Sequence, residues 1–99
     1  MRAERYRTKE RAEVEIFGRG GEVTAKIKDL SQTGACLQWE EEPSPMQIGD
    51  LLRLRVFLRA LQREHRLNAE VIWSNGNLSG VQFLTSDQLV QKMLFRGAE

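Results

Sequence analysis

The sequence predicts an all-β fold: a small six-stranded antiparallel β-barrel with a flexible basic N-terminal arm and a C-terminal α-helix. Six segments alternate apolar and polar residues with the period of two that a pleated strand imposes. Glycine-rich and Asn-Gly turns punctuate them. One stretch near the C-terminus has helical spacing behind an N-cap signal. Closure into a barrel follows because it removes the edges that six short strands would otherwise expose. With 99 residues, 40% of them hydrophobic, the chain can build one core and is too short for two.

The arm comprises residues 1–11. It holds Arg2, Arg5, Arg7, Lys9 and Arg11 against Glu4 and Glu10, a net +3, whereas the whole chain is +1 and the other 88 residues are therefore −2. Tyr6 is its one aromatic residue. Without apolar periodicity the arm has no core-facing stripe and is expected to stay mobile until something holds it. Residues 12–99 form the body.

In the first strand Val14 and Ile16 oppose Glu13 and Glu15. The Gly18-Arg19-Gly20-Gly21 run supplies the positive-φ freedom of a tight reversal. Val23, Ala25 and Ile27 then alternate with Thr24, Lys26 and Lys28, which completes a hairpin. Ala35, Leu37 and Trp39 mark a third strand, and the run Glu40-Glu41-Glu42-Pro43-Ser44-Pro45 leaves the sheet, since proline cannot donate to the ladder. Leu52, Leu54, Val56 and Leu58 alternate with Arg53, Arg55 and Phe57. The charged stretch Arg63-Glu64-His65-Arg66 reads as an exposed turn. After it Leu67, Ala69, Val71 and Trp73 alternate with Asn68, Glu70 and Ile72. Asn75-Gly76 is a turn signal, and Val81 and Phe83 lie in the last strand. Thr85 and Gln88 have capping-box spacing and open a helix whose Leu89, Val90, Met93 and Leu94 share one face.

Composition excludes several functions. Fifteen basic against 14 acidic side chains create no global field to attract a polyanion, so any anion site is local. No apolar run approaches the ~18 residues of a membrane span, and the arginine-rich start lacks an apolar signal core, so the chain is expected to be cytoplasmic. The single Cys36 cannot form an internal disulfide, which fits a reducing compartment. Catalytic material is sparse. His65 stands alone in its charged stretch, and Cys36 lies in a strand, where a small buried thiol is the usual outcome. One histidine and one cysteine do not make a zinc site, and Glu40–Glu42 lacks the ligand spacing of a calcium loop. No enzyme activity, metal or cofactor is expected.

Two motifs point instead to binding. Arg7 and Arg11 are four residues apart, a spacing that lets both converge on one anion. Arg55/Arg59 and Arg59/Arg63 share that spacing, so the pair is unspecific by itself. Asp29-Leu30-Ser31-Gln32-Thr33-Gly34 breaks the alternation between the second and third strands. Asp29 and Ser31, two apart, fall on one face, and Gly34 permits a tight turn or a close backbone approach. Taken alone this is ordinary turn chemistry. Joined, the motifs are complementary to guanine: guanidinium groups pair with O6/N7 or phosphate, and a carboxylate accepts from the N1–H and N2–H edge.

In order, spacing and strand context, Arg7-x-x-x-Arg11 followed by Asp29-x-Ser31-x-x-Gly34 resembles the signature of PilZ domains, bacterial receptors for the second messenger cyclic di-GMP. The resemblance extends to Gly49, Val71-Ile72-Trp73 and Gly80-Val81-Gln82-Phe83, over about residues 5–84, and no signature position departs from the pattern. It implies a six-stranded barrel whose arm folds over the ligand. Arg7 and Arg11 would contact guanine and phosphate, Asp29 and Ser31 would hydrogen-bond a base edge, and Gly34 would let the turn wrap the ligand. Arg5 and Tyr6 are candidates for further contacts that the pattern does not specify. Trp73 shares a face with core-type residues, which favours packing over its alternative, stacking on a guanine.

The resulting expectation is a cyclic di-GMP receptor in which the ligand orders the arm and alters a surface read by a downstream protein. One rival is an adaptor of the same fold that docks an acidic partner without nucleotide. The other is an RNA-binding barrel using Arg53, Arg55 and Arg59 around Phe57, against which the balanced charge and few exposed aromatics argue.

Overall fold

The computed structural model describes residues 6–7, 10–40, 44–58 and 62–97. Its strands are β1 (Tyr6–Arg7), β2 (Arg11–Ile16), β3 (Glu22–Leu30), β4 (Gly34–Gln38), β5 (Leu51–Leu58), β6 (Arg63–Asn75) and β7 (Leu78–Leu84), followed by helix α1 (Ser86–Gly97). Every pairing is antiparallel, in the order β3-β2-β5-β6-β7-β4, and β4 pairs back onto β3. Six strands thus form a closed barrel, as expected. The two-residue β1 adds to β3 outside that ring.

The turns follow the local chemistry. Gly18, Gly20 and Gly21 between β2 and β3 have φ of 88°, 69° and 78°, values open to glycine because it lacks a Cβ. Arg19, at the tip of this turn, donates to Asp50 Oδ2 at 2.6 Å and to the Pro45 carbonyl at 3.0 Å, tying the hairpin to the segment that leads into β5. The capping box forms at the helix start: Thr85 N–H donates to Gln88 Oε1 at 2.9 Å and Gln88 N–H to Thr85 Oγ1 at 3.1 Å.

Alternation places Val14, Ile27, Leu37, Leu52, Leu54, Val56 and Val71 inside the barrel. Trp39, just beyond β4, and Met46, beyond the proline-rich loop, join the same core. The buried indole N–H of Trp39 donates to Ser79 Oγ at 3.0 Å, and Ser79 also bonds Ser44 and Ser74 at 2.9 and 3.2 Å. The hydroxyl cluster satisfies a donor that would otherwise cost several kcal/mol to bury, on the order of the apolar transfer penalty.

Two expectations need correction. The stretch Arg63–Arg66 is strand, paired with β5 out to Leu58↔Arg63, and His65 is half-buried opposite Val56. Alternation continues through the charges: Glu64 and Arg66 are exposed while His65 takes the inner parity. One face of an antiparallel sheet tolerates charge, so charge density is no turn signal there. On α1, Leu89 is buried, whereas Val90, Met93 and Leu94 remain 53%, 44% and 68% exposed. The helix touches the barrel along a narrow line, supported by the Lys92–Glu70 ion pair at 2.9 Å. No helix among the described residues is long and apolar enough to cross a membrane.

Leu54 is 1% exposed at the centre of the core. Leu54→Ala is expected to lower the unfolding free energy by about 2–5 kcal/mol in a urea titration. Thr85→Ala, which removes only the cap, should cost about 1 kcal/mol.

Candidate functional site

The two motifs far apart in sequence meet along β3. Tyr6 pairs with Leu30 and Arg7 with Asp29, and after the start of β2 Arg11 pairs with Lys26. Three residues separate Arg7 from Arg11 while two separate Lys26 from Asp29, so the arm carries one more residue than the strand beside it. Tyr6 and Arg7 are positioned here by their backbones, Arg11 has an exposed side chain, and Arg5 lies outside the described residues.

A register slip decides which way Asp29 points. Ile27 pairs with Leu37, both in the core, but Asp29 pairs with Cys36, so Lys28 is an extra residue on β3. Strict alternation from Ile27 would send Asp29 into the apolar interior. The bulge moves it to the opposite face, and Leu30, paired with Ala35, returns to the core side. Such re-aiming is what a β-bulge does.

A second slip does the same for Trp73. Val71 pairs with Val81 and Trp73 with Gly80, leaving Ile72 as the extra residue of β6. Trp73 therefore does not share the core face with Val71 as the sequence suggests. It is 38% exposed on the outside of the barrel, lying over Gly80, where an added Cβ would fall 1.9 Å from the indole nitrogen. Gly80 in turn pairs with Cys36, and Cys36 with Asp29. One cross-strand row thus runs Trp73, Gly80, Cys36, Asp29, Arg7 over five strands.

Ser31 and Gly34 serve the turn behind this row. Ser31 is 8% exposed. Its Oγ accepts from the Thr33 and Gly34 N–H groups, both at 3.2 Å, and its N–H donates to the Gly34 carbonyl at 2.9 Å. Its hydroxyl is turned into the loop instead of sharing the outward face of Asp29. Gly34 has no positive φ; a Cβ there would lie 2.1 Å from the Val81 carbonyl oxygen. Its lack of a side chain lets β4 approach β7.

A groove of about 780 Å³ lies between α1 and the barrel, lined by Glu70, Gln82, Lys92 and Phe95 among others, and holds no residue of either motif. Among the described residues no group of three or more His, Cys, Asp or Glu side chains is placed to hold a metal.

The family model described as PilZ domain matches residues 1–97. The chain belongs to the PilZ domain family. A similar solved structure is the PilZ domain of CeSA from a cellulose-synthesizing bacterium, 23% identical, covering 91% of this chain and 88% of that one with a TM-score of 0.68. At that identity the likeness concerns the fold. No curated protein matches the chain. PilZ domains are a family of cyclic di-GMP receptor domains, which bind and regulate rather than catalyse.

In this PilZ domain the sequence shows the signature residues but hides two features of the row to which Arg7 and Asp29 belong. Neither slip at Lys28 or Ile72 carries a glycine: on β3 the break in alternation at Asp29 reads as the start of a turn, and on β6 the three consecutive apolar residues Val71-Ile72-Trp73 hide the slip. Gly80, by contrast, is a strand-interior glycine, a known sign of close approach by another group, and it marks the seat of Trp73. Gly80→Ala should push the indole off the sheet and lower stability by about 1–3 kcal/mol. Trp39, the other tryptophan, is 2% exposed, so the expected rise in iodide quenching of fluorescence reports Trp73.

Proposed function

We propose that this PilZ domain is a cyclic di-GMP receptor acting in the bacterial cytoplasm, and that Arg7, Arg11 and Asp29 make its principal ligand contacts. The single observation that carries this reading is the register Arg7↔Asp29, which brings the cationic and acidic halves of the signature to one strand pair. Asp29 accepts from the Watson–Crick donors of a guanine, and the guanidinium groups take O6/N7 or phosphate. Ser31 and Gly34 contribute by holding the turn behind Asp29 in shape, Ser31 through its hydrogen bonds and Gly34 through close packing. Trp73 offers an aromatic face at the far end of the row, and Arg5 and Tyr6 are secondary contacts.

The ligand fixes residues 1–11 against β3. Ordering costs about 1–2 kcal/mol per backbone residue, while each hydrogen bond to a charged group returns about 1.5–3 kcal/mol. Several such contacts offset the docking of part of the arm. A PilZ domain binds rather than catalyses, so the signal passes to a partner protein that reads the surface changed by arm docking. The buried Cys36, the chain's one cysteine and in no disulfide, supports a reducing compartment. The RNA-platform reading loses support because Arg55 pairs with Glu13 and Glu22 and Arg53 lies over Phe17 at 5.6 Å.

Calorimetric titration with cyclic di-GMP tests the assignment. Asp29→Ala is expected to weaken binding roughly tenfold or more, by the loss of charged hydrogen bonds, and Arg7→Ala with Arg11→Ala should abolish it. Unchanged affinity in the double variant would remove the site assignment, and no guanine-selective affinity in the wild type would favour a nucleotide-independent adaptor.

A further inference from the structure

Helix α1 carries more apolar surface than the barrel covers. Among the described residues eight large hydrophobic side chains are exposed, and four of them, Val90, Met93, Leu94 and Phe95, stand on this 12-residue helix. At about 100° per residue these four spread over roughly 200° of its circumference. Leu89 is buried and marks the side toward the barrel. The helix leaves the groove of about 780 Å³ beside Phe95, whose side chain stays 74% exposed. A helix that is apolar on most of its circumference is normally buried, and the barrel covers one side of this one.

The apolar surface continues onto the barrel. Lys92 holds Glu70 at 2.9 Å, and Ile72, 48% exposed, follows on β6 about 7 Å further along the strand. The Gly49 N–H donates to the Val71 carbonyl at 2.8 Å, which brings Ile48, 71% exposed, to the same stretch of β6. Taking about 200 Å² for each fully exposed large side chain, within the aromatic range, the exposed fractions of these six amount to roughly 700 Å². The largest patch on an ordinary monomer is about 300–600 Å², and each partner of a standard interface buries about 800 Å².

We propose that α1 is the centre of a two-fold interface between two copies of this chain. The proposal goes beyond the receptor reading and does not rest on it. A two-fold axis sets one patch against itself, so a patch with a net charge would repel its own copy. Here the charged pair within the patch, Lys92 and Glu70, is self-neutralising, and Gln88 and Gln91 carry no charge. Asp87 lies in the first turn of α1 and Arg96 in the last. Antiparallel copies therefore set the acidic end of one helix against the basic end of the other, and their macrodipoles oppose. Val90 and Leu94, four apart, share one face. An antiparallel pair centred on residue 92 seats Val90 against Leu94 of the partner subunit, with Met93 and Phe95 flanking that line.

Sedimentation equilibrium of the full chain over a concentration series tests the interface. The wild type should reach twice its 11.4 kDa at the upper end of the series and dissociate on dilution. Leu94→Glu with Phe95→Glu, both on exposed side chains, should keep the circular dichroism of the fold and weaken self-association roughly thirtyfold or more, as loss of central interface anchors does. Phe57→Glu, exposed but outside the patch, should dimerise like the wild type. In NMR of the wild type the Val90 and Leu94 methyl signals should move with concentration while those of the barrel core stay fixed. A wild-type chain that remains monomeric throughout the series overturns the proposal. So does a dimer that survives the double substitution, or one that forms without moving the Val90 and Leu94 methyls.

Discussion

Closure of a six-stranded ring gives each side chain one of two fates, inside or outside, and a strand keeps its assignment until a bulge intervenes. The slip at Lys28 is that intervention on β3. Without it Asp29 would follow Ile27 into an apolar interior, where an ionised carboxylate is costly unless paired. With it, Ile27 and Leu30 both stay with the core while Asp29 turns out. The slip at Ile72 repeats the solution on β6 and turns out Trp73. The cross-strand row exists because these two local irregularities sit at matching heights of the barrel.

The rest of the site is built around that row. Gly80 leaves room for the indole and Gly34 lets β4 close against β7. Ser31 caps the reversal between β3 and β4 with its hydroxyl. These three small residues are structural in the literal sense that they determine where larger groups go. In the proposed receptor they act at one remove from the ligand, whereas Arg7, Arg11 and Asp29 supply charge. This division explains how a signature can contain both charged and small residues without all of them touching a nucleotide.

Of the arm, β1 runs in the same direction as β2 and pairs with the same edge of β3. A two-residue strand adds few backbone hydrogen bonds, and its charges have no apolar stripe behind them. In the proposed mechanism this makes it a natural switch: the barrel supplies a template edge, and the ligand supplies the charge-assisted contacts that hold the arm to it. The barrel itself, with its core of alternating strands and its serine-satisfied Trp39, does not have to change.

The sequence by itself determined the number of barrel strands, the glycine turn after β2, the capped helix and the residues of both motifs, because each is written in local chemistry: side-chain period, turn residues and cap spacing. Only the tertiary structure decided the outward turn of Asp29 and Trp73, the strand character of Arg63–Arg66, and the pairing of Arg11 with Lys26. These depend on register between strands far apart in the chain. Register is set by the sum of all pairings around a closed ring, and a one-residue slip looks in the sequence like the end of a strand, as at Asp29, or is hidden in an apolar run, as at Val71-Ile72-Trp73.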